Sequence, residues 1–252
     1  MKTIDLNCDM GELPEAIADG TQEALMRYIT SANVACGGHA GDEQTMRATI
    51  EQAVRHSVAI GAHPGYEDRA NFGRTELHLA PEEISGSVER QIRALDEIAG
   101  KCGVRIVHVK PHGALYNQAA RDRIIARAIA GGVRRWRADV ILVGLAGSIM
   151  LDEFHNAGFR IAAEAFADRR YEPDGSLRPR RFRDALIANP QQAADQALQI
   201  VEKSSVTDSS GATMPLRAQT LCLHGDTPGS PAIAEAIHQR LTAANVRLAP
   251  LE

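Results

Sequence analysis

The chain has 252 residues, 44% of them hydrophobic and 24% charged, so it is long enough to bury a sizeable core. A net charge of −4 and an aromatic content of 4% argue against a nucleic-acid-binding protein, which needs a basic face and stacking platforms. The 21 glycines follow no strict period and the charged fraction is ordinary, which excludes collagen-like and disordered chains.

One pattern recurs along the chain: an apolar segment rich in β-branched residues, then a polar cluster, then a helical segment. We predict strands at residues 3–7, 31–35, 58–62, 105–109, 139–143, 160–163 and 219–223. Strands that alternate with helices indicate an α/β fold with a parallel sheet and right-handed crossovers. An eighth unit is missing, because residues 206–216 suggest a hairpin instead. We expect one domain over residues 1–252.

Two of the predicted helices have clear start signals. Asp42 is placed to cap a helix whose buried face carries Met46, Ile50 and Val54 at helical spacing. A proline begins the helix predicted at residues 81–100, and a glycine ends it. Both helices follow a predicted strand, as a parallel arrangement requires.

Polar residues follow six of the predicted strands, at the end where active sites gather in parallel α/β folds. They are Asp9, Glu12, His39, His63, Lys110, His112, Glu164, Asp168, His224 and Asp226. These residues are scattered in the sequence but would converge in a barrel. Buried charge is costly unless it is paired or coordinated, so the six clusters indicate a shared active site rather than a requirement of folding.

Some of these residues also have a purely structural explanation. Asp9 and Glu12 can accept hydrogen bonds from backbone N–H groups at a helix start, although the glycine between them lets a ligand approach closely. His39 and His63 can be core histidines, although both fall at strand ends. We favour the functional interpretation for all four.

The densest motif, KPHGALYN, spans residues 110–117. It carries a lysine, an imidazole, a phenol and an amide, on Lys110, His112, Tyr116 and Asn117. Such groups can bind a carboxylate, polarise a carbonyl or move a proton. The structural alternative is an ordinary strand-to-helix turn with Asn117 as its cap.

An arginine-rich segment spans residues 166–183 and holds six arginines, Arg169 among them. Such a run is often a solvated face. However, the Pro-Asp-Gly turn at 173–175 suggests a projecting loop, which is suited to cover a site or to grip an anion. Both interpretations stay open on the sequence alone.

Several motifs of other enzyme classes are absent from the sequence. It has no GxxxxGK[ST] phosphate loop, no GxGxxG after the first strand, no GxSxG elbow and no HExxH pair. These absences disfavour serine-nucleophile and dinucleotide chemistry and favour hydrolysis by carboxylates and histidines, with or without a metal. The four cysteines form no close pair, so we expect any bound metal to have oxygen and nitrogen ligands.

The expected location follows from what the sequence lacks. No apolar signal region follows Met1, and no run reaches the roughly 18 apolar residues of a membrane span. Cysteines without close spacing are typical of reduced thiols. We therefore expect a cytoplasmic protein that binds neither membranes nor nucleic acid.

Six motifs that stand in order along the chain resemble those of one known family. They are DLNCDMGE at 5–12, ANVACGGHAGD at 32–42, GAHPGY at 61–66, KPHGALYN at 110–117, EAFADR at 164–169 and LHGDTP at 223–228. Together they resemble the LamB/YcsF family, over essentially the whole chain. The resemblance implies a distorted seven-stranded parallel (β/α) barrel of the glycoside hydrolase and deacetylase type. It also implies ATP-dependent opening of 5-oxoproline to L-glutamate, together with partner subunits B and C.

The chemistry of that reaction suits the residues present. A five-membered lactam is a stable amide, and ATP can drive its hydrolysis by phosphorylating the lactam oxygen. Since a Walker A loop is absent, ATP would bind here through another geometry or in a partner subunit.

Roles for individual residues follow from the same reaction. Lys110 or an arginine of 169–183 would hold the substrate carboxylate. Asp9 or His63 would activate water, and His112 would protonate the leaving nitrogen. The other expected substrate contacts are Glu12, His39, Tyr116, Asn117, Glu164, Asp168, Arg169, His224 and Asp226.

Two other functions stay open on the sequence alone. One is a metal-dependent deacetylase or amide hydrolase acting on an acetylated sugar, with Asp9, His39 and His63 around a divalent ion. The other is a non-catalytic scaffold protein whose polar pocket only binds. ATP dependence separates the expected reaction from the deacetylase. Turnover that is lost when pocket residues are changed separates both enzymes from the scaffold.

Overall fold

The computed structural model describes residues 1–227 and 229–252, so that Pro228, the last residue of the sixth motif, lies outside the described residues. The strands, β1 to β10 in chain order, are Thr3–Met10, Ser31–Ala35, Ala59–His63, Ile106–Val109, Ile141–Leu145, Arg160–Phe166, Ser205–Thr207, Thr213–Pro215, Thr220–His224 and Arg247–Leu248. The helices, α1 to α9, are Pro14–Ala18, Thr21–Met26, Glu43–Arg55, Pro81–Lys101, Gly113–Ala119, Arg123–Trp136, Ile149–Asn156, Pro190–Lys203 and Ser230–Ala243, and a 3-10 helix covers Arg69–Asn71.

Seven of the strands close into a parallel barrel. Strands β1 to β6 pair in chain order, β6 pairs with β9, and β9 pairs with β1. Between successive barrel strands the chain crosses over through helices, which keeps every pairing parallel. The predicted seven-stranded α/β barrel is confirmed. The short strands β7 and β8 pair antiparallel and form the hairpin expected at 206–216.

The interior of the barrel is polar, whereas the apolar core lies between the strands and the helices. In β1, the sequence D-L-N-C-D-M alternates polar and apolar residues, and successive side chains of a strand point to opposite faces. Asn7 Nδ2 donates across the interior to Thr220 Oγ1 at 2.6 Å and to Glu164 Oε1 at 3.1 Å. His108, from β4, has its Nε2 2.7 Å from Asn33 Oδ1. Hydrogen bonds between these polar side chains therefore connect the middle of the barrel with its carboxyl end.

Helix α3 begins as predicted but buries a different face from the one expected. Asp42 Oδ1 accepts the backbone N–H of Thr45 at 2.8 Å, which caps the helix. Met46 is buried, but Val54 is 48% exposed, so its predicted burial is wrong. Ala53 is buried instead, because two turns of 3.6 residues from Met46 end nearer to position 53 than to position 54.

Helix α4 also runs slightly further than predicted, through Gly100 to Lys101. The backbone N–H of Cys102 then caps the helix by donating to carbonyl groups of its last turn. Among the described residues, no helix combines the length and the apolar character needed to cross a bilayer.

Candidate active site

A cavity of about 450 Å³ opens at the carboxyl end of the barrel. The predicted residues that line it are Asp9, Glu12, His63, Lys110, His112, Tyr116, Asn117, Arg169 and His224. The predicted residues His39, Glu164 and Asp168 are buried behind this layer and contact it. Asp226 lies at the rim, where it pairs with Arg74 and Arg180. The barrel strands thus bring together side chains that are far apart in the sequence.

Lys110 is buried at the floor of the cavity, just after β4. Its Nζ lies 2.9 Å from Asp9 Oδ1 and 2.9 Å from Glu164 Oε1, and it donates to Cys222 Sγ at 3.1 Å. Burial alone would lower the pKa of Lys110, but the charges of Asp9 and Glu164 outweigh it and hold the pKa well above its usual value. The site therefore contains a fixed ammonium group.

Asp9 connects this ammonium group to the histidines. Its Oδ1 also accepts from Asn33 Nδ2 at 2.8 Å, and its Oδ2 lies 3.3 Å from His63 Nε2. Burial alone would raise the pKa of Asp9, but the charges of His63 and Lys110 hold it well below its usual value. Asp9 is therefore an ionised acceptor over the whole physiological pH range.

Three imidazoles surround the carboxylate of Glu12. Glu12 Oε1 lies 2.9 Å from His39 Nε2 and 3.2 Å from His112 Nδ1. The rings of His39 and His112 are stacked, with centroids 3.6 Å apart and planes 2° apart. Gly65 packs against this stack, and a Cβ there would lie 2.8 Å from His39 Nδ1. The close packing fixes the imidazoles in place.

A second acid–base pair lies across the cavity, formed by Asp168 and His224. Nδ1 of His224 lies 3.0 Å from both carboxylate oxygens of Asp168, and the backbone N–H of His224 donates to Oδ2 at 2.8 Å. The imidazole stacks on Phe166, with centroids 5.5 Å apart. Because Nδ1 is directed at Asp168, Nε2 is the ring nitrogen left for the cavity.

The arginine-rich segment lies partly at the cavity and partly away from it. It follows β6 and is anchored to that strand by Tyr171. The hydroxyl of Tyr171 accepts a hydrogen bond from the backbone N–H of Phe166 at 2.7 Å. Arg178 pairs with Glu172 and Asp184 and is not among the residues that line the cavity. Arg169, Arg180 and Arg181 instead line the cavity.

Arg169 is the most deeply buried of these three guanidinium groups. Burial, together with the neighbouring charge of Arg180, lowers the pKa of Arg169 to about 10. An anion bound between the guanidinium groups of Arg169 and Arg180 would reduce their mutual repulsion. This wall of the cavity therefore suits a carboxylate or a phosphate.

The candidate site residues selected from the sequence are polar residues that follow a predicted strand, a criterion that we call the strand-end rule. Some cavity residues do not follow a strand and could not be found in this way. Arg74, Glu76 and Arg121 line the cavity but lie in a loop and at a helix end rather than after a strand. The interior residues Asn7 and Asn33 were also missed, although the polar–apolar alternation in β1 marks the first of them.

Comparisons with known proteins agree on one family. The LamB/YcsF family model matches residues 4–252. The 5-oxoprolinase A subunit of Methylococcus capsulatus is 49% identical over 250 residues, which cover 99% of this chain and 96% of that protein. The 5-oxoprolinase A subunit of Chloroflexus aggregans is 48% identical over 98% of both chains. Among solved structures, the lactam utilization protein from Thermus thermophilus superimposes with a TM-score of 0.92, at 40% identity and 100% coverage of both chains.

Proposed function

The chain belongs to the LamB/YcsF family, and from this we propose that it is the A subunit of a 5-oxoprolinase, which hydrolyses the cyclic amide of 5-oxoproline to L-glutamate. The observation that carries the proposal is the pairing of a buried ammonium group with an Asp–His pair in one cavity. Amide hydrolysis needs a group that stabilises negative charge on oxygen and a group that carries a proton to nitrogen.

The ammonium group of Lys110 stabilises the oxygen of the amide as water attacks the carbonyl carbon. It is preorganised for this task, because Asp9 and Glu164 hold it in place before substrate binds. Asp9 orients the attacking water by accepting a hydrogen bond from it. Asp9 does not remove the proton of the water, because its low pKa makes it a weak base.

His224 carries the proton from the water to the leaving nitrogen. Asp168 fixes the tautomer with hydrogen on Nδ1, so that Nε2 takes the proton of the attacking water and then donates it to the ring nitrogen. The C–N bond breaks, the ring nitrogen becomes the α-amino group and the carbonyl carbon becomes the side-chain carboxylate of glutamate.

The sequence placed the proton donor at His112 instead, and the contacts of that ring favour His224. Nε2 of His112 lies 2.9 Å from the carbonyl oxygen of Phe72, and Nδ1 lies 2.9 Å from His63 Nε2. Nε2 of His112 is therefore held by a backbone carbonyl group and Nδ1 faces other protein side chains, whereas His224 keeps Nε2 for the substrate.

The substrate is an anion, and the arginine wall gives it a binding surface. We assign the α-carboxylate of 5-oxoproline to Arg169 and Arg181, with Arg180 held at the rim by Asp226 at 3.4 Å. A phosphate on the lactam oxygen would add negative charge that the same wall and Lys110 can balance.

Activation by ATP completes the proposed reaction and is assigned to other subunits. The sequence has no Walker A loop. The cavity is lined by carboxylates and imidazoles, which suit hydrolysis. We therefore propose that partner subunits B and C transfer the γ-phosphate of ATP to the lactam oxygen, with release of ADP, and pass the labile imidate to this chain. Attack of water and cleavage of the C–N bond there leave γ-glutamyl phosphate, which a second water hydrolyses to glutamate and inorganic phosphate. Exchange within a complex protects the imidate from premature hydrolysis.

The test compares substrates and variants in the assembled enzyme. The chain is mixed with its B and C subunits and ATP, and supplied with 5-oxoproline or with an N-acetylated chitooligosaccharide. We expect glutamate from the first and no acetate from the second. His224→Gln should lower kcat by at least about 100-fold with little change in KM, because it removes proton transfer but not binding.

The matched control is His155→Gln, on the exposed side of α7, which should keep full activity. Release of acetate without glutamate would support the deacetylase alternative instead. Equal activity of the two histidine variants would remove His224 from the mechanism.

A further inference from the structure

Four side chains beside the cavity form a cluster that amide hydrolysis as proposed above does not use. Glu12, His39, His63 and His112 come from the ends of four neighbouring barrel strands. One ligand atom from each lies within 4.8 Å of all the others. The shorter separations are 2.9 Å between His63 Nε2 and His112 Nδ1 and 3.2 Å between His112 Nδ1 and Glu12 Oε1.

Backbone carbonyl groups determine which nitrogens of two rings carry hydrogen. His63 Nδ1 lies 2.7 Å from the carbonyl oxygen of Lys110, and His112 Nε2 lies 2.9 Å from that of Phe72. A carbonyl oxygen only accepts, so each of these nitrogens is the donor. When both rings are neutral, His63 Nε2 and His112 Nδ1 therefore each carry a lone pair instead of a hydrogen. These two nitrogens face each other at 2.9 Å.

Glu12 Oε1, the third acceptor, lies 3.9 Å from His63 Nε2 and 3.2 Å from His112 Nδ1. The same oxygen lies 2.9 Å from His39 Nε2, so the carboxylate of Glu12 contacts the whole cluster. Two lone pairs and a carboxylate in mutual contact repel one another unless a proton or a metal ion lies between them, and a metal ion can bind to all of these groups at once.

We propose that Glu12, His39, His63 and His112 bind a divalent transition-metal ion of the zinc type. Imidazole nitrogen with one carboxylate is a donor set that Zn²⁺ and its neighbours prefer, whereas Mg²⁺ and Ca²⁺ prefer oxygen alone. Ligands about 2.0–2.1 Å from a tetrahedral ion lie roughly 3.3–3.4 Å apart, within the spread of the separations seen here. The carbonyl groups behind His63 and His112 are the outer contacts that orient metal-binding histidines.

This set differs from the one expected from the sequence, which placed Asp9 with His39 and His63. Asp9 Oδ1 is engaged by the ammonium group of Lys110, which repels a cation. The same objection applies to a second group of possible ligands, Asp9, Cys222 and His224, because Cys222 Sγ also lies 3.1 Å from Lys110 Nζ. Glu12 and His112 have no such contact with Lys110 among the described hydrogen bonds and ion pairs.

The test measures metal binding without turnover, so its outcome is independent of the proposed function. The full chain is treated with a chelator and titrated with ZnCl₂ in a calorimeter, and with MgCl₂ for comparison. We expect one Zn²⁺ per chain, no comparable binding of Mg²⁺, and a higher melting temperature with Zn²⁺. His112→Gln and Glu12→Gln should each weaken Zn²⁺ binding at least tenfold and reduce the rise in melting temperature.

The controls are two histidines outside the cluster. His108→Gln changes a buried histidine of the barrel interior and His155→Gln an exposed one, and both should bind Zn²⁺ as the unmodified chain does. Glu12→Gln preserves the shape of the side chain and keeps the test valid if His112→Gln does not fold. Failure of the unmodified chain to bind Zn²⁺ with one-to-one stoichiometry would overturn the proposal, as would unchanged affinity in both cluster variants.

Discussion

At the scale of single residues, Lys110 shows how strongly the site depends on paired charges. Its ammonium group lies between the buried carboxylates of Asp9 and Glu164. Lys110→Met removes the cation and leaves both carboxylates without it. We expect the free energy of unfolding to fall by about 3–5 kcal/mol, since a buried charge loses its partner. Urea unfolding measures this loss, and glutamate formation by the assembled enzyme should disappear with it.

Two further variants separate the charge effect from simple loss of a side chain. The double variant Lys110→Met/Glu164→Gln removes one of the unpaired charges and should recover part of the stability. Lys101→Met, on the exposed side of α4, should change the free energy of unfolding by less than about 0.5 kcal/mol. If Lys110→Met were as stable as Lys101→Met, the paired-charge explanation would be wrong.

His108 predicts a pH dependence of stability. Burial and the nearby charge of Lys110 lower the pKa of His108 to about 3, whereas in the unfolded chain it is about 6.5. Between these values the unfolded chain binds a proton that the folded protein does not. Stability is therefore complete above about pH 6.5 and falls as the pH drops toward 3.

His108→Gln keeps a donor for Asn33 Oδ1 but removes this titration. The slope of unfolding free energy against pH should then decrease by up to about 1.4 kcal/mol per pH unit between pH 6 and pH 4. Urea unfolding at several pH values measures it, with His155→Gln as the control that keeps the original slope. Identical slopes in the two variants would contradict the buried-histidine interpretation.

The roles of individual residues were only partly predictable. The strand-end rule located Lys110 and His224, because it depends only on where strands stop. It could not choose between His112, the donor expected from the sequence, and His224, the donor proposed here, since that choice depends on which ring nitrogen meets a carbonyl group and which meets a carboxylate. Such contacts join residues far apart in the chain, and a single sequence does not specify them.

At the scale of elements, all seven barrel strands were predicted, but two of them were predicted too short. Strands β1 and β6 each extend three residues beyond the expected end, to Met10 and Phe166. The rule that a polar residue ends a strand failed there, because Asp9 and Glu164 point into a polar barrel rather than into a loop. A closed barrel with a hydrogen-bonded interior allows polar residues inside strands.

The close approach of neighbouring strands explains one glycine in β3. A Cβ on Gly61 would collide with the imidazole of His108, which lies on the adjacent strand β4. Gly61→Ala should therefore lower the free energy of unfolding by about 1–3 kcal/mol through overpacking.

Gly100, in the last turn of α4, provides the matched control for Gly61. A Cβ there has no described atom within 4 Å, so Gly100→Ala should raise the free energy of unfolding by up to about 1 kcal/mol through helix propensity. Urea unfolding of both variants measures the difference. Shifts in the same direction would show that close packing does not determine the residue at position 61.

At the scale of the whole molecule, the barrel supplies a frame for the ring-opening half of the proposed two-step reaction. Its strand ends hold a fixed ammonium group, an Asp–His pair and an arginine wall around one cavity. These groups suit ring opening of an anionic cyclic amide. The relatives are named as one subunit of a larger enzyme, which agrees with a division of labour between this chain and others.

The most direct test of this division of labour is glutamate release from 5-oxoproline and ATP by three samples. They are this chain alone, the B and C subunits alone, and the three together. We expect rapid glutamate release from the complete mixture and little or none from either incomplete sample. ATP-dependent release of glutamate at the full rate by this chain alone would contradict a division of labour.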